Sequence, residues 1–502
     1  MIFHVRKLRN TFPFLVDSSK ARTFIHGSSE TRPLAPSSRI LYSKNEDEAK
    51  LSELDIIVSK VRLPNGVDEV VNSLVNDEEC NSIKLTRSLV VGLLHRFKDD
   101  WKSALGVFKW AESRLDYEHN PDGYDLILDI LGKMKQMETM MVILQEMGNR
   151  HLVTLNTVAK VMRRFAGSGQ WENAVKVFDE LGSYGLEKNT ESMNLLVDTL
   201  CKACKVEQAR EIFLELKRHI APNAHTFNIF IHGWCKIGRV DEARWTIEEM
   251  KGHGCRPCVI SYSTIVKFYC CQENYDNGYD VLDEMRAEGC PPNTVTYTTV
   301  MSSLAKSEKY DDALLIAERM KSDGCKLDTL FYNSLIHILG RAGRVGEAIN
   351  VFEVEMPKNS VLPNTSTYNT MVAMFCYHNQ EQKALNLLAK MESSGVCKPD
   401  VQTYYPLLKA CFKNGKTDDY FSKLLDDMVK RHHLSLDMST YTLLVHGLCR
   451  ANKCEWAYLL FQEMIDKGLM PRYKTCRLLF EEVKEKHMYD VAEKIEEFMK
   501  KM

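Results

Sequence analysis

One pair of residues recurs along this chain at a nearly constant interval: an aromatic residue and, in most cases, a small polar one after it. The clearest pairs are Phe227-Asn228, Tyr262-Ser263, Tyr297-Thr298, Tyr332-Asn333, Tyr368-Asn369, Tyr404-Tyr405 and Tyr441-Thr442. Successive second residues, which we call openers, are separated by 35, 35, 35, 36, 36 and 37 positions. This period indicates a solenoid, in which each repeat buries its apolar face against its neighbours.

The repeat at residues 294–328 shows what each unit folds into. Apolar residues at helical spacing run from Val295 to Ala305, and a polar break follows at 306–309. A second amphipathic run starts near Asp311, and Gly324 suits the end of a helix. Each repeat is therefore predicted to be two antiparallel helices joined by a short turn. The predicted fold is an all-α, right-handed superhelical α-solenoid of about 10–11 helix–turn–helix repeats.

Two further columns, which are sets of residues at the same position in successive repeats, predict core packing. The first column lies in the second helix and consists of alanine. The second column lies seven residues later and is mostly methionine, which fills irregular gaps in cores. A methionine column could also resemble a cofactor site, but packing is favoured. The alanines are Ala174, Ala209, Ala243, Ala313, Ala348, Ala384, Ala457 and Ala492. The second column is Leu181, Leu216, Met250, Met285, Met320, Met391, Met464 and Met499.

Charge and composition divide the chain into three segments. Residues 1–44 hold eight basic residues, two acidic ones and many serines, which is typical of an organelle transit peptide; a disordered basic tail is the alternative. Plentiful arginine favours the mitochondrion over the chloroplast. Residues 45–84 are acidic and helix-prone, and are expected to cap the repeat array at 85–502. The sequence contains no apolar run of about 18 or more residues, so no membrane span is predicted.

The chain has a formal net charge of −2, and −8 once residues 1–44 are set aside. This argues against nucleic-acid binding through overall charge, so any such binding needs a local basic row.

The sixteen cysteines include two Cys-x-x-Cys pairs, Cys201 with Cys204 and Cys255 with Cys258, which alone would suggest zinc. However, half of the cysteines keep the repeat phase, which spreads them along the array. Cys201, Cys235, Cys270, Cys376 and Cys449 lie seven residues after an opener, and Cys255, Cys290 and Cys325 lie 27 after one. We expect small packing residues, with no metal and no cofactor.

The period, the Tyr-Asn or Tyr-Thr openings and endings such as Gly-Cys-x-Pro and Lys-Pro-Asp resemble the pentatricopeptide repeat family, in its plain 35-residue type. The resemblance covers roughly residues 85–502. The related tetratricopeptide repeat, which binds proteins, carries a tryptophan, Leu-Gly and tyrosine pattern that these repeats lack. No His-x-Glu and Pro-Cys-x-x-Cys pair of a deaminase-like extension is present, so no enzyme is expected.

The resemblance implies that each repeat reads one base of single-stranded RNA with its opener and its last residue, which we call the closing residue. The alternative for each polar residue is helix capping. The implied pairs are Asn194 with Asn223 (pyrimidine), Asn228 with Cys258 (pyrimidine-leaning), Ser263 with Asn293 (adenine), Thr298 with Asp328 (guanine), Asn333 with Asn364 (pyrimidine) and Asn369 with Asp400 (uracil). Asp125 with Thr154, Ala159 with Asn189, Tyr405 with Asp437 and Thr442 with Arg472 leave their bases undefined.

A row of cations supports this hypothesis. Eight residues after the openers lie Lys133, Lys202, Lys236, Lys306, Arg341, Lys413 and Arg450, which we call the cation row. They could contact backbone phosphates; the alternative is a solvated charge favoured by the helix dipole. Three apolar residues, Ile260, Val295 and Leu330, precede openers by three positions and could flank bases.

The predicted function is sequence-specific binding of a mitochondrial transcript, in RNA stabilisation, processing or translation. Organellar RNA-processing or ribosomal factors are candidate partners, and a monomer is expected. The alternative is a protein-binding scaffold without sequence-specific RNA binding.

Overall fold

The computed structural model of the chain describes residues 44–61, 66–395, 397–415 and 419–500, without the side chains of 44–52 and 419. The predicted transit peptide, residues 1–44, lies outside the described residues except at Lys44, where the first helix begins. Within the described ranges every regular element is helical. Three helices, α1 (Lys44–Val61), α2 (Val67–Val75) and α3 (Glu78–Ser82), occupy the segment that we propose as a cap.

The repeats fall into two compact units, one that ends at Pro292 and one that begins at Asn293. Each unit is a series of helical hairpins. The hairpins of the first unit are α4 (Arg87–Arg96) with α5 (Trp101–Glu112), α6 (Pro121–Lys133) with α7 (Met137–Asn149), α8 (Leu155–Gly167) with α9 (Trp171–Asp179), α10 (Thr190–Lys202) with α11 (Val206–Leu216), α12 (Ala224–Lys236) with α13 (Val240–Gly252), and α14 (Val259–Cys271) with α15 (Tyr275–Ala287). A short 3₁₀ turn, Glu180–Tyr184, follows α9.

The second unit repeats the same arrangement. Its hairpins are α16 (Thr294–Lys306) with α17 (Tyr310–Ser322), α18 (Thr329–Arg341) with α19 (Val345–Asn350) and α20 (Met356–Lys358), α21 (Thr365–Tyr377) with α22 (Glu381–Ser394), α23 (Val401–Lys413) with α24 (Asp419–Asp426), α25 (Met438–Arg450) with α26 (Cys454–Asp466), and α27 (Tyr473–Glu485) with α28 (Tyr489–Lys500). The helix–turn–helix repeat fold is confirmed. The described residues form twelve hairpins, eleven that keep the period and the divergent α4–α5, against the predicted count of about 10–11.

The turn inside each periodic hairpin has a fixed geometry. Ten residues after every opener, from Asp125 to Arg477, which opens the last repeat, the backbone adopts a positive φ. Glycine supplies this conformation at Gly238, for example, whereas Cys204 adopts it with φ 60°. Cys204 is thus an exposed turn residue, whereas Cys201, the other cysteine of the Cys-x-x-Cys pair, is buried in a helix.

Two longer repeats contain a π-helical turn in their second helix. Val351–Glu355 lies between α19 and α20, in the 36-residue repeat opened by Asn333. Asp427–Arg431 follows α24 in the 37-residue repeat opened by Tyr405. A π turn accommodates one additional residue within a helix. In the 36-residue repeat opened by Asn369, Gly395 lies 26 residues after the opener, as Gly324 does after Thr298 in a 35-residue repeat. The additional residue therefore follows the second helix.

The core consists of the columns that the sequence predicts. The aromatic residue before each opener is buried, with Tyr297, Tyr332 and Tyr441 fully so. The alanine column is buried throughout, and Met250, Met285, Met320, Met391 and Met464 have no exposed surface. Cys201, Cys270, Cys376 and Cys449 are buried and form no disulfide among the described residues, which agrees with a packing role.

Candidate nucleic-acid interface

The helix geometry explains the positions of openers and closing residues. Each opener is the fifth residue of the first helix of its hairpin, and each closing residue lies at the N-cap position of the first helix of the next hairpin. Where the closing residue is Asn or Asp, its side-chain oxygen accepts a hydrogen bond from the backbone N–H three residues later. These distances are 3.0 Å for Asn223, 3.0 Å for Asn293, 2.9 Å for Asp328, 3.0 Å for Asn364 and 2.9 Å for Asp400. The capping role is therefore present at these closing residues.

In the first unit, the opener and the closing residue of two repeats are in contact. Asn194 Nδ2 donates to Asn223 Oδ1 at 3.3 Å, although Asn194 is itself buried and Asn223 is exposed. Asn228 Nδ2 lies 3.6 Å from Cys258 Sγ. Both members of the second pair are half-buried. These two pairs, predicted from residues about 30 positions apart, form adjacent polar sites on first helices.

The second unit contains the same contact in the repeat opened by Asn369. Its Nδ2 donates to Asp400 Oδ1 at 3.0 Å, and both residues are half-buried. The contact brings an amide and a carboxylate to one point of the surface, which together offer a donor and an acceptor.

A third residue, which the sequence interpretation missed, completes these sites. The hydroxyl of Thr226 donates to Asn194 Oδ1 at 2.7 Å, that of Ser261 to Asn228 Oδ1 at 2.7 Å, and that of Thr403 to Asn369 Oδ1 at 2.6 Å. Each hydroxyl belongs to the third residue of the following first helix. A column of serine or threonine two residues before most openers was the sequence signal. These hydroxyls hold the opener amide in one orientation.

The structure does not join every predicted pair. Thr298 is buried and its hydroxyl donates to the carbonyl of Thr294 at 2.8 Å, within its own helix, while Asp328 caps α18. The Ser263 hydroxyl likewise donates to the Val259 carbonyl at 2.6 Å. Ser263 belongs to the first unit and Asn293 to the second.

Asn333 differs from the other asparagine openers. Its Oδ1 is buried and accepts no hydrogen bond from the described residues, because the Thr367 hydroxyl donates to Asn364 Oδ1 instead, at 3.0 Å. Asn333 lines a cleft of about 470 Å³ between α16 and α18, together with Lys306 and Arg341 of the cation row. An unsatisfied buried acceptor in a polar cleft favours an external donor.

At the other end of the array, the opener Asp125 is saturated by its neighbours. Its carboxylate accepts from the Thr157 hydroxyl at 2.6 Å, from Lys160 Nζ at 2.9 Å and from Asn156 Nδ2 at 3.2 Å. Asp125 is buried, so this repeat offers no open polar edge.

Members of the cation row occupy the last position of their first helices and are exposed. The dipole alternative is thus geometrically satisfied. Lys202 forms a salt bridge with Asp198 at 2.6 Å. Among described residues, the later members form no salt bridge: Lys236, Lys306, Arg341, Lys413 and Arg450. Lys236 bonds the Lys202 carbonyl at 2.5 Å, Lys413 bonds Asn379 Oδ1 at 3.1 Å, and Arg341 lies 4.6 Å from the Tyr377 ring centre. The row therefore keeps its positive charge from Lys236 onward.

The three predicted flanking residues are exposed although they are large and apolar. The exposed fractions are 64% for Ile260, 58% for Val295 and 49% for Leu330. Each is the second residue of its first helix, beside a capping residue. Single exposed apolar side chains are common on protein surfaces, so this exposure is compatible with the predicted flanking role but is not evidence for it.

Five cysteines of one column lie in an apolar environment. Burial raises the pKa of the thiols of Cys201, Cys235, Cys270, Cys376 and Cys449 to about 12. In the absence of a metal these thiols stay protonated at neutral pH, as packing residues do. Within the described part of the chain, no three His, Cys, Asp or Glu side chains are grouped as a metal would require. In the same ranges no helix is both long and apolar enough to span a bilayer.

Comparison with known proteins decides the family. A sequence model described as the PPR repeat family matches residues 188–236, 222–271, 257–306, 327–377 and 363–413, and single PPR repeats match 295–325 and 432–465. The chain is 62% identical over 478 residues to the Arabidopsis thaliana protein named Pentatricopeptide repeat-containing protein At3g04130, mitochondrial, with 95% of this chain and 93% of the relative covered. The chain belongs to the pentatricopeptide repeat family.

A second relative of this pentatricopeptide repeat protein is At3g22670, mitochondrial, from the same plant, with 41% identity, 86% of this chain and 76% of the relative covered. Both relatives are named as mitochondrial, and the mitochondrial localisation is confirmed. Among solved structures, PPR10 in complex with an 18-nucleotide psaJ RNA element matches with a TM-score of 0.48 and 18% identity, over 91% of this chain and 75% of that one.

Proposed function

We propose that this pentatricopeptide repeat protein binds a mitochondrial transcript as single-stranded RNA and reads one base per repeat. The observation that carries the proposal is the direct contact between opener and closing residue in Asn194–Asn223, Asn228–Cys258 and Asn369–Asp400. Each contact forms a small polar site beside an end of a first helix. Repetition of such sites at one place per repeat suits a strand whose bases meet successive repeats.

The hydrogen-bonding groups support the assigned bases. At Thr298 the hydroxyl hydrogen is directed to the Thr294 carbonyl, so its oxygen and the Asp328 carboxylate both act as acceptors. Guanine presents two donors, N1–H and N2–H, on its Watson–Crick edge. Two acceptors therefore match guanine and repel the acceptor groups of uracil and cytosine.

The other pairs combine a donor with an acceptor. Asn369 offers an amide and Asp400 a carboxylate, which suit the carbonyl and N3–H of uracil. The Ser263 oxygen, with its hydrogen on the Val259 carbonyl, can accept from the adenine amino group, and the Asn293 amide can donate to adenine N1. The proposed core from Asn194 to Asp400 is pyrimidine, pyrimidine-leaning base, A, G, pyrimidine and U, in the 5′ to 3′ direction that the family resemblance implies.

Binding of this kind acts by occupancy and requires no reaction. A bound protein can block an exonuclease, remodel an RNA structure or guide an organellar RNA-processing or ribosomal factor. These outcomes correspond to RNA stabilisation, processing or translation.

The first test compares a ten-nucleotide strand that carries the proposed core with scrambled strands, at stated salt, by fluorescence anisotropy. We expect tighter binding of the core strand. Equal affinities would contradict base reading and favour the alternative, a protein-binding scaffold, which co-purification with a protein but not with RNA would support.

Thr298→Asn tests the assignment of one base. The variant offers an amide beside Asp328, as Asn369 does beside Asp400, so the preference at this base should move from G toward U. A mismatched base typically costs about 1–3 kcal/mol, so the ratio of the G and U affinities should change at least several-fold. Thr299→Asn is the matched control, because Thr299 makes the same kind of bond, to the Val295 carbonyl at 2.7 Å. An unchanged G preference in Thr298→Asn would make the pair assignment wrong.

A further inference from the structure

A wide cleft in the second unit lies where the predicted base-reading pairs end. It is bounded by the first helices α21, α23 and α25, and its volume is about 900 Å³, within the range of small-ligand pockets. Its walls include two of the four openers that define no base, Tyr405 and Thr442, and the closing residue Arg472. The cleft directly follows the last pair of the proposed core, Asn369 with Asp400.

The charge of this cleft is unlike that of the whole chain. Four cations line it: Lys409, Lys413, Arg450 and Arg472, all exposed. Among the described residues that line it there is no Asp or Glu, although the chain without residues 1–44 has a net charge of −8. The Asp437 carboxylate, which belongs to the same pair as Tyr405, is not in the lining; it caps α25 by accepting from Thr440 N at 2.8 Å and from the Thr440 hydroxyl at 2.6 Å.

The histidine in the wall reflects the same positive environment. His446 Nε2 lies 3.1 Å from the Thr475 hydroxyl oxygen. Burial lowers the pKa of His446, and the nearby charges of Arg450 and Lys474 lower it further. The ring is therefore neutral at neutral pH, and the cleft favours an anion that would neutralise its cations.

Aromatic and apolar side chains complete the walls. Tyr405 is half-buried and Tyr377 is 52% exposed. Pro406 and Met438 add apolar surface beside them. Aromatic rings with adjacent cations are the combination that binds single-stranded nucleic acid without reading its sequence, because every base has a face that can stack.

We propose that this cleft binds the two nucleotides that follow the core on its 3′ side, by stacking against Tyr405 and by phosphate contacts with Lys409, Arg450 and Arg472, without regard to base identity. The proposal rests on the proposed function, since it assigns the cleft to the same RNA strand. It explains why a polar opener is absent at Tyr405: an aromatic ring replaces hydrogen-bond reading with stacking.

The test uses a strand with the core alone and strands extended by two nucleotides, as AA, CC, GG, UU or two abasic sites, on either the 3′ or the 5′ side. Stacking is worth about 1–3 kcal/mol per base, so the 3′ extension should tighten binding at least five-fold, to a similar degree for all four bases. Abasic extensions and 5′ extensions should give a much smaller gain in affinity. A gain that differs strongly among the four bases overturns the proposal.

Variants locate the effect. Tyr405→Ala should abolish the gain from the 3′ extension and leave the affinity for the core strand unchanged, whereas Tyr405→Phe should keep the gain. Arg472 makes no side-chain capping bond, so Arg472→Gln should fold normally and weaken the salt dependence of the gain. Tyr489→Ala, at an exposed tyrosine on the second helix α28, is the control and should behave as wild type.

The outcomes separate the two proposals. Core preference without a 3′ gain overturns the cleft alone. A 3′ gain that depends on Tyr405, without preference for the core over scrambled strands, overturns base reading and supports the cleft. Absence of both overturns both.

Discussion

At the residue scale, the closing residues serve two purposes. The Asn364 oxygen accepts from the Thr367 N–H at 3.0 Å and so begins α21. The same side chain lies at the position implied to read a base with Asn333. Stability and recognition therefore favour the same small group of residues, and capping alone would explain the asparagines and aspartates at these positions. A variant that keeps the cap and changes the donors separates the two roles.

Asn364→Asp is that variant. Aspartate caps a helix as well as asparagine does, so the free energy of unfolding should stay within about 0.5 kcal/mol of wild type. The Asn333 repeat would then carry the asparagine–aspartate pair of Asn369 with Asp400, and its pyrimidine preference should narrow to U. Asn364→Ala is the companion variant and should cost about 1 kcal/mol through loss of the cap. Denaturation monitored by circular dichroism and binding to U or C strands measure both effects; an Asn364→Asp protein with unaltered preference would leave capping as the only role.

At the element scale, first helices of successive repeats interlock through one recurring contact. The residue seven positions after an opener lies close to the residue five positions after the next opener, and in several such pairs a side chain on one helix faces a glycine on the other. An added Cβ at the glycine would lie 2.9 Å from Cys201 Sγ for Gly233, 2.7 Å from Met374 Cγ for Gly340, and 2.4 Å from the Phe412 ring for Gly447. Cys201 is one side of this interlock, which explains why a small, buried side chain occupies its position.

Gly447→Ala tests the interlock where the partner is rigid. The added methyl group would overlap the Phe412 ring, and overpacking of this kind costs about 1–3 kcal/mol, more than the roughly 1 kcal/mol gained from helix propensity. We therefore expect a lower midpoint of urea unfolding.

Gly346→Ala is the matched control. A Cβ added to Gly346 in α19 would have no atom within 4 Å, so the same substitution should leave stability unchanged or raise it by up to about 1 kcal/mol. Equal stabilisation by both variants would show that the Phe412 contact does not constrain the helices.

At the scale of the whole molecule, the cation row differs from several cations on second helices. Those are paired with carboxylates of neighbouring repeats: within the first unit Arg210 with Glu249 at 2.7 Å and Arg244 with Glu284 at 2.6 Å, and within the second unit Arg431 with Glu392 at 3.0 Å. The cation row on first helices has no such partners from Lys236 onward among the described residues. A chain of negative net charge can thus still present a positive row to a phosphate backbone.

The salt dependence of binding tests this arrangement. For single strands the slope of log K against log salt is about −0.7 for each phosphate contacted, so Lys306→Gln with Arg450→Gln should make the slope shallower by about 1.4 on the ten-nucleotide strand. Lys494→Gln with Lys500→Gln changes the net charge equally, but on the second helix α28, and should leave the slope nearly unchanged. Equal effects of the two double variants would indicate that net charge alone governs binding.

The sequence by itself determined the repeat, the helical hairpins and the buried columns, because these depend on apolar spacing within about 35 residues. It also located the openers and closing residues, because they keep the same phase. It missed the hydroxyls of Thr226, Ser261 and Thr403, whose role appears only when the first helices of neighbouring repeats are in contact.

Tertiary packing decided the remaining features. It joined Asn194 to Asn223 but left Thr298 bonded to its own helix, and it neutralised Asp125 while leaving Asn333 Oδ1 unsatisfied. It also opened a cationic cleft where the polar pattern ends. These outcomes depend on distances between side chains about 30 to 35 residues apart, which the angle and separation of packed helices fix and which residue spacing alone does not encode.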